Sequence, residues 1–95
     1  LFAVHWEPRD EATRVASAEQ LVAAIGSSSD PCILAGDFNA APQGVAGHRR
    51  TRHGTDAIDQ LLVSGLLRKP DIDREPDRHL SFPTLNPRIT IDWIL

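Results

Sequence analysis

An apolar run, Pro31-Cys32-Ile33-Leu34-Ala35, closes abruptly on Gly36-Asp37-Phe38-Asn39-Ala40-Ala41-Pro42. No other feature constrains the chain as much. The run is too short for a helix and is bounded by Ser-Ser-Ser-Asp before it and Pro42 after it, so it reads as a strand over Cys32–Phe38 buried on both faces. Alternation along an extended segment sends Asp37 and Asn39 to one side and Phe38 to the other. Gly36, with no side chain, leaves room for a bulky group to approach. A carboxylate and a carboxamide side by side at a strand end suit phosphate chemistry. The Asp can hold a metal-bound water or take its proton, and the Asn can donate to a phosphoryl oxygen or offer its carbonyl to a cation. The plain alternative is an Asx turn that merely ends the strand.

The flanking sequence gives this strand neighbours. Leu1 to Trp6 reads as a strand ending at His5, followed by a turn at Glu7-Pro8-Arg9. Asp10 is a helix N-cap with Glu11 in the first turn. Val15, Ala18, Leu21, Val22 and Ile25 repeat at helical spacing, and Gly26 fits the position just past the end. Strand, helix and strand form a right-handed crossover if the two strands are parallel. Ala40 to Gly54 lacks periodicity and reads as loop. Thr55 can cap a second helix carrying Ala57, Ile58, Leu61 and Leu62, ended by Gly65. Leu66 to His79 mixes charges and prolines as a surface loop does. Ile89, Ile91, Trp93 and Leu95 alternate with Thr90, Asp92 and Ile94, a strand pattern.

Set in that order, these segments resemble the endonuclease/exonuclease/phosphatase superfamily, the deoxyribonuclease-I-like fold. Gly36-Asp37-Phe38-Asn39-Ala40 is similar to its signature. Phe2-Ala3-Val4-His5-Trp6 resembles its strand ending in histidine. Arg14 and Gln20 stand on a helix where the family carries an Arg and often a Gln. Ser81-Phe82-Pro83-Thr84 and Ile91-Asp92-Trp93-Ile94-Leu95 resemble its Thr-Phe-Pro and Ile-Asp-Tyr-Ile-Leu segments. The resemblance implies an α/β fold, the carboxy-terminal half of a four-layered α/β sandwich. Residues 1–95 then form a partial domain that lacks the amino-terminal half, with its metal-binding Glu, and the final Ser-Asp-His.

The function implied is metal-dependent hydrolysis of a phosphate ester, as a nuclease or as a phosphodiesterase or phosphatase. Asp37, Asn39, His5 and Asp92 are the catalytic residues it implies. Asn39 and His5 bind the phosphoryl group, and Asp37 and Asn39 contribute to a site for Mg²⁺, or Mn²⁺ in its place. Asp92, set among apolar residues, needs a partner if buried; the family pairs it with the final His. The substrate is a phosphate ester, with nucleic acid and phospholipid headgroups both within reach. The rival from another class is a non-catalytic member that binds or scaffolds. Metallophosphatases that open on Gly-Asp need a downstream Gly-Asn-His that this chain lacks, and haloacid-dehalogenase-type phosphatases need Asp where Asn39 stands.

Composition narrows the partners. A net charge of −3 gives no general attraction to nucleic acid, so any such contact must be local. His48-Arg49-Arg50-Thr51-Arg52-His53 is the basic stretch that could reach a phosphate backbone or headgroup, although a solvated loop is the commoner explanation. Its two histidines lack a cysteine pair, which argues against zinc. Cys32, the one cysteine, leaves no disulfide partner in the chain and reads as an inert core residue. Trp6 and Trp93 read as packing residues rather than stacking platforms. No apolar run reaches membrane-spanning length.

Overall fold

The computed structural model describes residues 1–45, 57–71 and 79–95. The basic stretch at 48–53 and the Thr55 cap lie outside the described residues. The order of elements is β1 (Phe2–His5), α1 (Glu11–Gly26), β2 (Leu34–Asp37), α2 (Ala57–Val63) and β3 (Asp92–Ile94). They make a small α/β unit with a mixed sheet in the order β1-β2-β3.

β1 and β2 run parallel, joined through α1, as the crossover reading requires; Val4 pairs with Gly36 and His5 with Asp37. β3 runs antiparallel on the other side of β2, pairing Gly36 with Trp93 and Asp37 with Asp92. Helix α1 begins as its sequence dictates. The Asp10 side chain accepts from the Ala12 N–H at 3.1 Å, satisfying one of the donors a helix start leaves over. Its end differs by one residue from expectation: Gly26 is the last helical residue, and Ser27 caps in a right-handed conformation. Gly65, at φ 74°, follows α2 as expected, its N–H donating to the Leu62 carbonyl.

The strands are shorter than the apolar patterns that announce them. β2 covers four residues of the seven expected, and only Leu34 within it is buried. The expectation of burial on both faces therefore fails: among the described residues, the helices cover one face of the sheet and leave the other open. Cys32 lies before the strand, half-buried at the margin of the core rather than inside it. Alternation holds from Ile91 on, with Ile91, Trp93 and Leu95 buried and Asp92 and Ile94 exposed, but fails at Thr90, which is buried with its hydroxyl donating to the His79 carbonyl at 2.8 Å. Regular strand covers only Asp92–Ile94, although hydrogen bonds to the β2 segment run on at both ends, between Leu34 and Leu95 and from the Phe38 N–H to the Ile91 carbonyl; Ile89 instead bridges back to Phe82.

Helices α1 and α2 pack on each other and on the face of the sheet that presents Leu34, Phe38 and Trp93. Phe38, Leu34, Ile58 and Leu61 are fully enclosed there. Trp6 meets Phe38 edge-to-face at 4.9 Å between ring centroids, and the Trp93 indole N–H donates to the Ala40 carbonyl at 3.0 Å. Both tryptophans are packing residues, as their strand positions suggested. Among the described residues no helix is long and apolar enough to cross a membrane.

Candidate active site

Strand register sets the geometry. Asp37 pairs with His5 on one side and with Asp92 on the other, so one row of three crosses the sheet at the carboxyl end of β2. Period-two alternation puts their side chains on the face opposite Phe38 and Trp93. His5 Nε2 stands 3.9 Å from Asp37 Oδ2, within ion-pair range and beyond hydrogen-bond length. His5 is largely exposed while Asp37 is about two-thirds covered, which leaves both open to a ligand from the same side.

The sharp end of β2 is the work of Asp37 and Asn39 together. The Asp37 Oδ1 accepts from the Asn39 N–H at 2.8 Å, an Asx turn. Asn39 takes a positive φ of 48°, a conformation that asparagine tolerates better than most residues. Its carboxamide then turns back and donates to the Trp6 carbonyl at 2.8 Å. The simple picture of Asp37 and Asn39 side by side on one extended strand is thus replaced by a turn that keeps both near the end of β1. The plain Asx turn and the polar cluster coexist in one arrangement. One oxygen of Asp37 makes the turn and the other faces His5. The Asn39 carbonyl oxygen has no partner among the described residues.

Gly36 corrects the sequence reading most clearly. A Cβ placed there would lie 2.0 Å from the Val4 carbonyl oxygen, and φ is 143°. What approaches Gly36 on the side a Cβ would occupy is the backbone of β1. The glycine lets the parallel pair close, and so brings His5 level with Asp37.

Asp92 is exposed, so the partner that burial would have demanded is not required. Its backbone is held instead: the Ser81 hydroxyl accepts from the Ile91 N–H at 3.1 Å and lies 3.4 Å from the Asp92 N–H. Sequence reasoning did not identify the Ser81 hydroxyl or the Trp6 carbonyl as supports. Ser81 is signalled only by its place before Phe82-Pro83, and a backbone carbonyl leaves no signal.

A cavity of about 530 Å³ opens beside Asn39, walled by Pro8, Arg9, Glu11, Arg14, Phe82 and Ile91 among others. His5, Asp37 and Asp92 do not line it; it adjoins the row on the Asn39 side. Below the row, the loop after β2 is tied to α2 by the Gln43 N–H, which donates to both carboxylate oxygens of Asp59 at 3.0 and 3.1 Å.

The family model of the endonuclease/exonuclease/phosphatase family matches residues 2–95. The chain belongs to this family. No curated protein and no solved structure matches it. Endonuclease/exonuclease/phosphatase proteins are in general hydrolases of phosphate esters and commonly use divalent metal ions. Among the described residues, no three His, Cys, Asp or Glu side chains converge as a metal site would require.

Proposed function

We propose that the protein hydrolyses a phosphate ester at the carboxyl end of β2. The observation that carries this reading is the row His5–Asp37–Asp92, set level by strand register, with Asn39 folded in beside it. Asp37 orients the attacking water through its outward oxygen and takes the proton. His5 donates to a phosphoryl oxygen, and the second amide hydrogen of Asn39 is free to do the same, where negative charge builds in the transition state. Asp92 orients a histidine contributed from outside these residues and stabilises its charge. Mg²⁺, or Mn²⁺ in its place, would supply positive charge to the phosphoryl and leaving oxygens when bound. Asp37 and Asn39 would offer it two oxygens, with water and substrate oxygens as the remainder.

The open sheet face supports a second part of the reading. It presents Ile94 and, just before β2, Ile33, both more than half exposed. Residues 1–95 would then form one sheet-and-helix half of a four-layered sandwich, a second sheet covering that face. The substrate is a phosphodiester or phosphomonoester, from nucleic acid or a phospholipid headgroup, recognised through the phosphate they share.

The test is turnover of a panel of such esters, with Mg²⁺ and with chelator, by the intact protein and its Asp37→Asn variant. The variant should keep its melting temperature and lose at least ~100-fold in turnover, the scale of a positioned base. Wild-type turnover in the variant would falsify the role of Asp37. Binding without turnover in the wild type would mark a member that binds or scaffolds.

A further inference from the structure

The Arg14 guanidinium is a charge almost out of water, its side chain only 11% exposed. Such a group needs its donors filled. Glu11, one turn earlier on α1, takes Nε at 3.0 Å and also Nη2 on the same carboxylate oxygen. Nη1 is left over, and it donates to the Glu7 carbonyl at 2.6 Å. Glu7 is two residues beyond His5. The peptide between them is already held from β2, by the Trp6 N–H to the Asp37 carbonyl at 2.9 Å and by Asn39 to the Trp6 carbonyl. The bond from Arg14 is different in kind, because it ties the exit of β1 to the helix layer. The tie continues: the other oxygen of Glu11 accepts the Ala57 N–H at 2.9 Å, at the start of α2. One ion pair therefore links the segment after His5 to both helices.

We infer that Arg14 is a positioning residue for the candidate site, fixing the His5 end of β1 through the Glu7 carbonyl. The inference rests on the proposed hydrolysis for its effect on rate, and on geometry alone for its effect on His5. Arg14 needs its planar fork for this task. A lysine ammonium keeps the charge beside Glu11 but cannot span both the carboxylate and the carbonyl in the same plane.

The test compares wild type, Arg14→Lys and the double variant Glu11→Gln/Arg14→Gln. The double variant leaves no buried charge unpaired and retains an acceptor for the Ala57 N–H, so it keeps the question open to measurement if the lysine variant folds poorly. Two readouts are taken on folded protein: the NMR signals of the His5 ring, and kcat and KM on a phosphodiester. The ring signals should shift in both variants. Turnover should fall by at least ~10-fold with KM little changed, as expected when a reacting group is misplaced by a fraction of an ångström. Ethylguanidinium at millimolar concentration should restore part of the turnover of the double variant. Unshifted His5 signals in either folded variant overturn the inference, whatever the activity. Shifted signals in a protein whose wild type hydrolyses no ester leave Arg14 as the residue that places His5, and overturn the proposed function instead.

Discussion

The two faces of the sheet are made from the same three strands and could hardly differ more. On the helix side stand Leu34, Phe38 and Trp93, enclosed by Ala18, Ile25, Ile58 and Leu61. On the other stand His5, Asp37 and Asp92 in a row, with exposed Ile94 beside Ala35. Stability is concentrated on the first face and chemistry on the second. Period-two alternation makes the division: each step along a strand moves from core to site. A one-residue slip in register would exchange the two and destroy both.

Gly36 is where the faces share a single constraint, and its substitution should have the largest effect. Gly36→Ala would drive a methyl group into the Val4 carbonyl and hold a non-glycine residue at positive φ. The two costs together are expected to reach about 3–5 kcal/mol, a large part of the ~5–15 kcal/mol that holds a typical domain. Urea unfolding should show this as a large drop in midpoint. A midpoint like that of the wild type would mean that β1 and β2 are not paired in this register, and the level placement of His5 and Asp37 would go with it.

The contrast between the faces can be sharpened with one residue from each. Leu34→Ala, on the covered face, should cost about 2–5 kcal/mol, the range for a buried leucine whose cavity cannot collapse. Ile94→Ala, on the open face, is the more informative change. In the intact protein it should cost at least ~1 kcal/mol if a second sheet packs there, against the ~0.5 kcal/mol or less usual for a surface position. A cost in the surface range would remove the second sheet from the reading and leave the covered face as the whole of the core.

Much of this division could be read in the sequence, because local rules govern it. The cap at Asp10, the helical spacing to Ile25 and the alternation of Ile91, Trp93 and Leu95 are all short-range signals, and each element lies where they put it. The nearness of His5 and Asp37 also followed, once the strands were taken as parallel. What escaped depends on contacts between distant segments. The close approach at Gly36 comes from a carbonyl 32 positions earlier, and the turn of Asn39 is completed by Trp6. Strand length escaped for a similar reason. Ile89 belongs to the same alternation, but a ladder needs a partner: pairing with the β2 segment ends where the Phe38 N–H meets the Ile91 carbonyl, because Asn39 has turned away, and Ile89 bridges to Phe82 instead. The exposure of Asp92, by contrast, follows from the local alternation, because its apolar neighbours in sequence face the opposite side of the sheet.

One local motif occurs on both sides of the molecule. Asp10 and Asp37 each accept the N–H of the residue two positions on, Asp10 to start α1 and Asp37 to end β2. At Asp10 the bonds favour the charged form. The Thr13 hydroxyl first, and then the Ala12 and Thr13 N–H groups and the charge of Arg14, hold its carboxyl below the ordinary value of 3.8, against a smaller opposing cost of burial. A carboxyl with a lowered folded pKa binds its proton more readily in the unfolded chain. Its contribution is therefore fully present above 3.8 and is lost as the pH falls through the lower folded value. Asp10→Asn keeps an acceptor for the Ala12 N–H and removes the titration. The melting temperature of the wild type should exceed that of the variant near neutral pH, by less than either core substitution produces. The gap should close as the solution is acidified below 3.8. A gap that stays constant through that acid range would show that the hydroxyl and amide bonds at the start of α1 do not depend on charge, and that the cap is held by geometry alone.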